Sequence, residues 1–390
     1  MTLVDPPAPR VPLSDLVVDS ELRDAVLQTF ESGWWTMGRR VDEFEVGFAS
    51  MAGARHAVAV ANGTAALHLA LLACGVGPGD EVVLPSLNFV AAANVVRLAG
   101  ASPTFCDILG PHDLNLDPAH LESVIGPRTR ALLVLHYAGF PCDIDEILRI
   151  AERHALTVIE DAAHAPGAAL RGRKCGTFGD IGCFSFFANK NLPIGEGGMV
   201  VTDDDELAER IRLLRSHGMT TLTWDRARGH AHAYDVLLPG LNYRLDEIRA
   251  TVGLVQLHRL EDANAARARL VARYRSRLED VPGLIVPFAA VTPEVEPAHH
   301  LAVIVLPPGV DRPAVQESLR ARSVQTSVHY PPIHGFSAYA TSPPASLPQT
   351  DDVAERILTL PLFPHLAEEA VDAVVEALAD ALAAAPIAAA

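Results

Sequence analysis

An acid, a hydroxyl and an amine follow one another at the ends of two apolar runs between Thr157 and Gly198. Asp161 closes Thr-Val-Ile-Glu-Asp and Ser185 closes Gly-Cys-Phe-Ser. Lys190 lies on the irregular, Gly-rich stretch that runs on to Gly195-Glu-Gly-Gly198. Delivered by neighbouring strand ends, these three types suit pyridoxal 5′-phosphate. The lysine would form the Schiff base, the acid would keep the pyridine nitrogen protonated and the hydroxyl would take the phosphate. Two buried strands followed by an exposed lysine give the same pattern, and spacing alone does not choose between the two readings.

The 390 residues leave room for one large domain and a smaller one. With 49% hydrophobic and 20% charged residues the chain is globular. Its formal net charge of −17, from 31 basic and 48 acidic residues, opposes a general nucleic-acid role, which needs clustered Lys and Arg. Cys74, Cys106, Cys142, Cys175 and Cys183 are scattered, without a Cys-x-x-Cys pair. Reduced thiols in a cytoplasmic protein are expected, with no disulfide framework and no metal site. The Pro-rich N-terminus carries Asp5 and lacks the pattern of a signal peptide. No apolar run reaches membrane-spanning length, and the Ala-rich tail Ala377–Ala390, broken by Asp380 and Pro386, reads as a fraying surface helix.

The elements that must position these groups alternate. After an extended arm over residues 1–19, Ser20 caps a helix Glu21–Glu31, and Val41–Met51 is helical again. Trp34 and Trp35 between them read as core or as a subunit contact. Strands are predicted at His56–Val60, Glu81–Leu84, Pro103–Cys106, Ala131–His136 and Thr157–Glu160, with helices from Thr64, Val90, Pro118 and Asp143. Runs such as Ala-Leu-Leu-Val-Leu are apolar on both faces, as in a parallel sheet covered by helices on each side. Such doubly wound α/β sheets bind ligands at the carboxyl ends of their strands, where the polar residues of this chain sit. Asn62-Gly63-Thr64 lies between a strand and a helix and offers free N–H groups to an anion, although a plain N-cap at Thr64 gives the same sequence. Phe89 after the next strand can stack on a planar ring, or be core.

Beyond Met199–Thr202 a helix Asp204–Arg215 is expected, then a long loop or short ribbon over Thr220–Leu241 that holds Arg226, His230 and His232. A long helix opens at Asn242–Glu247 and runs to about Glu279. The remainder reads as a small α+β domain: strands His300–Leu306 and Ser327–Tyr330, helices Arg312–Arg322, Asp351–Leu358 and Glu368–Leu382, and an extended Leu360–Pro364. The implied division is an arm (1–19), a large domain (20–250) and a smaller one with the connecting helix (251–390).

In this order the motifs Ser32-Gly-Trp-Trp-Thr-x-Gly38, Asn62-Gly-Thr-Ala-Ala-Leu, Phe89-Val-Ala-Ala-Ala-Asn94, Glu160-Asp-Ala-Ala-His-Ala, Phe184-Ser-Phe-x-x-x-Lys190, Gly195-Glu-Gly-Gly198, Ser216-His-Gly218, Gly240-Leu-Asn-Tyr-Arg244 and Tyr330-x-Pro-x-His334 resemble the DegT/DnrJ/StrS sugar aminotransferases. The resemblance implies the aspartate-aminotransferase (type I) fold, with a mostly parallel seven-stranded sheet and a smaller C-terminal α+β domain. It implies that Lys190 carries pyridoxal phosphate, Asp161 pairs with the pyridine nitrogen, and His164 lies near the phenolic oxygen. Phe89 would stack on the ring, and Gly63, Thr64 and Ser185 would hold the phosphate. Asn242 would reach in from the second subunit of an obligate homodimer with shared active sites. The implied reaction takes an amino group from L-glutamate, or glutamine, to a keto sugar, nucleotide-linked in most of the family and a cyclitol or free sugar in some. For a substrate the candidates are Trp34, Arg226, His230, Tyr330 and His334. Lysine at 190, where dehydrating relatives carry histidine, favours amino transfer. Phe187 departs from the histidine that many members carry and puts the substrate in doubt. A non-catalytic cofactor-binding sensor is the rival reading. A dehydrogenase is disfavoured, because no Gly-x-Gly-x-x-Gly follows a first strand.

Overall fold

The computed structural model describes residues 10–221, 233–340 and 345–384. Seven strands form the central sheet: β1 His56–Val60, β2 Glu81–Pro85, β3 Ser102–Cys106, β4 Thr129–Leu135, β5 Thr157–Asp161, β6 Ile181–Ser185 and β7 Gly198–Thr202. Their spatial order is β1-β7-β6-β5-β4-β2-β3. Pairing is parallel from β6 through β5, β4 and β2 to β3, whereas β7 runs against both its neighbours.

Parallel neighbours require crossovers, and the crossover helices explain why these strands are apolar on both faces. Consecutive Leu132, Leu133 and Val134 of β4 are all fully buried. Leu133 packs with residues of the helices Gly63–Ala73 and Ala91–Leu98. Leu132 and Val134 pack with those of Pro118–Val124 and Ile144–His154 on the other side. Each such side chain contributes about 1.5–3 kcal/mol of burial free energy.

A 32-residue helix, Glu247–Leu278, leads away from the sheet. Ala250 and Leu260 near its start pack among Phe44, Phe48 and Phe186 beside β1 and β7. Leu270, Tyr274 and Leu278 near its end join a separate apolar cluster. That cluster is built on the antiparallel pair Ala302–Val305 and Ile357–Leu360 and the helices Arg312–Ala321 and Glu368–Ala384.

Several local expectations change. Asp19, not Ser20, caps the first helix, accepting the Leu22 amide at 3.0 Å. The long helix starts at Glu247 under an Asp246 cap, because Asn242 and Arg244 are drawn into bridges with Ser216 and Val60 at the sheet edge. The expected helix Asp351–Leu358 is instead Pro348–Arg356, and Ile357–Leu360 becomes a strand because its amides find partners on Ala302–Val305. Ser327–Tyr330 is not a strand; Ser327 only bridges Thr359. A hairpin, Ile108–Gly110 with Asp113–Leu116, has strands too short for alternation to reveal. The described ends of Thr220–Leu241 form a narrow antiparallel ladder, with the Thr220 amide on the Asp235 carbonyl at 3.0 Å.

Candidate active site

The carboxyl ends of β4, β5 and β6 open onto a cavity of about 400 Å³. Its wall includes Gly63, Thr64, Phe89, Asp161, His164, Ser185, Lys190 and Tyr330, so these residues, scattered over 268 positions of sequence, meet in one place.

One end is a helix mouth. Asn62 caps Gly63–Ala73, its Oδ1 accepting the Ala65 amide at 2.8 Å and its carbonyl the Ala66 amide at 3.1 Å. The cap is therefore Asn62 rather than Thr64, and the Gly63 and Thr64 amides stand at the positive end of the helix. Ser185 lies against this mouth: a Cβ on Gly63 would meet the Ser185 Cβ at 2.7 Å and its Oγ at 3.1 Å. A glycine is what lets backbone and hydroxyl converge here.

Asp161 ends β5 and is buried. Its carboxylate accepts the Ala163 amide at 3.2 Å and the Asn88 side-chain amide at 3.5 Å. Burial pushes this carboxyl above the ordinary range, opposed by the Ala163 bond, the charge of Lys190 and the Asn88 bond. Lys190 follows β6 on a turn closed by its own amide on the Phe187 carbonyl at 2.8 Å. Desolvation draws its ammonium down to about 8, and the Asp161 charge opposes the fall.

His164 is buried with both nitrogens engaged. Nδ1 lies 3.3 Å from the Ala138 amide, which can only donate, so Nε2 carries the proton and gives it to the Tyr330 hydroxyl at 2.9 Å. Burial and the nearby Lys190 and His329 keep this ring neutral, well below the usual histidine range. Phe89 is 55% exposed at the rim, its ring 5.7 Å from that of Tyr330.

Other candidates lie elsewhere. His334 is held between the Ser86 hydroxyl, 2.7 Å from its Nδ1, and Asp351, 3.1 Å from its Nε2. Trp34 gives its indole N–H to the Met37 carbonyl at 3.4 Å and does not line the cavity. Asn242 bridges Ser216 at the sheet edge, also outside the cavity wall of its own chain. Arg226 and His230 lie outside the described residues. Sequence reasoning gave no role to Asn88, which directly precedes Phe89. It also missed His300, whose Nε2 lies 3.4 Å from the Lys190 amine and which reads locally as the apolar start of a strand. Among the described residues no cluster of three or more His, Cys, Asp or Glu is placed to hold a metal ion, and no helix is long and apolar enough to cross a membrane.

This donor set fits pyridoxal phosphate: two helix-mouth amides and two hydroxyls for an anion, a buried carboxyl at the end of β5, and a lysine with a lowered ammonium. The chain matches the DegT/DnrJ/EryC1/StrS aminotransferase family over residues 17–379. It is 41% identical over 378 residues to the spore coat polysaccharide biosynthesis protein SpsC of Bacillus subtilis (strain 168), covering 95% of this chain and 96% of that one. The structure of S. venezuelae DesV in complex with a ketimine intermediate is 38% identical, with a TM-score of 0.87 over 96% of this chain and 98% of the other. DesI, solved in the presence of its TDP-sugar product, is 34% identical, with a TM-score of 0.86 over 97% and 93%.

Proposed function

Because the chain belongs to the DegT/DnrJ/EryC1/StrS family of pyridoxal phosphate-dependent aminotransferases, we propose that it carries an amino group from L-glutamate, or glutamine, to a keto sugar attached to a nucleotide. The observation that carries this reading is the single cavity shared by Lys190, Asp161 and the Gly63–Thr64 helix mouth. The TDP-sugar product of DesI supports the nucleotide, and the similarity to SpsC supports a place in sugar assembly.

When bound, pyridoxal phosphate supplies an electron-accepting ring conjugated to the reacting nitrogen. This chain's residues would do the rest. The Gly63 and Thr64 amides, with the Thr64 and Ser185 hydroxyls, hold the phosphate through charge-assisted hydrogen bonds. Asp161 holds a proton at the pyridine nitrogen, because an adjacent carboxylate raises that nitrogen's pKa. Phe89, at the cavity rim, would lie against the ring. His164, neutral and fixed as the Nε2–H tautomer, positions Tyr330 at the cavity wall. Lys190 would tether the aldehyde and, when free, would take a proton from the donor's α-carbon and return one, work suited to an amine that burial draws down to about 8.

We read the active form as a homodimer in which Asn242 of each subunit reaches the other's cavity. Phe30 and Trp35 support this: they stack with ring centroids 4.7 Å apart, yet are 52% and 47% exposed. Leu16, Val17 and Val18 of the arm are exposed as well. Exposed apolar surface of this kind marks an interface. We keep the division at residues 20–250 and 251–390 as the proposed domain boundary. The test is to charge the purified protein with glutamate and screen keto-sugar nucleotides for loss of the aminated cofactor's spectrum. Turnover of free ketoses or cyclitols, with none of nucleotide sugars, would remove the nucleotide from the proposal.

A further inference from the structure

We propose that His300 is a positioning residue for Lys190, its Nε2 lone pair being the dock that receives the lysine amine whenever that amine is free of the cofactor. The inference rests on Lys190 being the cofactor lysine, as read above.

Which end of the imidazole faces the amine is decided two side chains away. The Asn191 Nδ2 donates to the Ala298 carbonyl at 2.7 Å and to the Asn264 Oδ1 at 2.8 Å. A carbonyl only accepts, so the orientation of the Asn191 amide is fixed, with Oδ1 left facing the His300 Nδ1 at 2.9 Å. That oxygen also only accepts. His300 therefore keeps its proton on Nδ1 and turns an unprotonated Nε2 to the Lys190 amine, 3.4 Å away.

The surroundings keep His300 in this state. Burial drives it well below the ordinary histidine range, and Lys190, His164, Arg267 and His329 all push the same way. The His164 ring lies 4.5 Å away, and the Arg267 guanidinium donates to the His300 backbone carbonyl at 3.4 Å. Among the described residues the groups whose charge is coupled to that of Lys190 are Asp161, His164, His329 and His300. His164 does not compete as an acceptor, since Ala138 and Tyr330 engage both its nitrogens.

A neutral acceptor has a specific merit here. A carboxylate at this position would clamp an ammonium and raise its pKa away from the working range. An imidazole lone pair takes one N–H and leaves the amine's own lone pair directed elsewhere, free to collect a proton. It also restrains a side chain that otherwise carries about 2 kcal/mol of rotamer entropy.

The composition makes a direct test clean, because the chain contains only two lysines, Lys174 and Lys190. Protein saturated with pyridoxamine phosphate is treated with trinitrobenzenesulfonate across a pH series, and the two lysine peptides are followed by mass spectrometry. In the parent protein the Lys190 midpoint should lie at about 8. His300→Phe should lower it by about 1 pH unit, through loss of a hydrogen bond to a charged group, and so speed modification at pH 7 about fivefold. His300→Gln, whose amide oxygen can accept, should restore part of the shift. Asn191→Leu, which keeps the ring but releases its Nδ1, should shift the midpoint the same way by less. The Lys174 profile should not move. An unchanged or raised Lys190 midpoint in His300→Phe overturns the proposal; if that variant does not fold, the same result in Asn191→Leu does so. Protection of Lys190 in the pyridoxal phosphate form tests the cofactor-lysine reading separately.

Discussion

Burial acts in opposite senses on Asp161 and Lys190 in the cavity wall, drawing the Lys190 ammonium down to about 8 and pushing the Asp161 carboxyl up. Both shifts disfavour the charged form, and each group's charge offsets part of the other's shift. A pH dependence follows. The base form of Lys190 fills as pH rises through about 8, so the single-turnover rate with the amino donor should climb from pH 6, reach half its limit at about pH 8 and level off above about pH 9. Stopped-flow absorbance with glutamate measures this, and a flat profile over that range would remove Lys190 as the proton carrier. Lys190→Ala should lose the visible absorbance of the bound cofactor and all amino transfer while its circular dichroism stays that of the parent. Asp161→Ala should retain cofactor but lower kcat on the order of 10³-fold, as expected when a stabilising charge next to developing electron density is removed. A loss below tenfold would argue that the carboxyl only fills space.

At the scale of elements, the helix mouth invites a sharper test. In Gly63→Ala the new methyl would press on the Ser185 Cβ at 2.7 Å and its Cα at 3.3 Å, contacts that no side-chain rotation relieves. Overpacking of this kind costs about 1–3 kcal/mol, which should appear as roughly ten- to hundredfold weaker cofactor binding in equilibrium dialysis, with kcat little changed at saturation. Unaltered binding would mean that the phosphate sits elsewhere. In sequence this mouth is not legible by itself, because Asn-Gly-Thr between a strand and a helix reads as readily as a plain N-cap, and only the company of the other motifs points to an anion. The sheet strands are legible on their own, as runs such as Leu132–Leu135 tolerate no solvent-facing alternative. What stayed hidden depended on partners distant in the chain. Ile357–Leu360 looks like the end of a helix until Ala302–Val305 supplies its backbone bonds. Asn242 looks like a helix start until Ser216 claims it. His300 carries no local mark at all, since its meaning comes from Asn191 and Lys190, more than a hundred positions away.

For the whole molecule, the proposed sharing of cavities has an arithmetic consequence. Mixing equal amounts of an Asn242→Ala variant and a Lys190→Ala variant, each inactive alone, and allowing subunits to exchange should give hybrids with one intact site out of two. Random pairing sets the recovered activity at about a quarter of the parent's, and no recovery after demonstrated exchange would sink the shared-site reading. The reversed direction of β7 has its own implication. Because β6 and β7 are antiparallel neighbours, the chain between them leaves and re-enters the sheet side by side, with Ser185 opposite Gly198 and the Phe186 amide on the Gly197 carbonyl at 2.8 Å. The Lys190 amine thus rides on an excursion welded at both feet into the middle of the fold, and it cannot serve as a swinging lid. Deuterium uptake at Phe186 and protease nicking near residue 190 should be as slow as unfolding of the entire domain, which leaves admission and release of substrate to segments farther from the sheet.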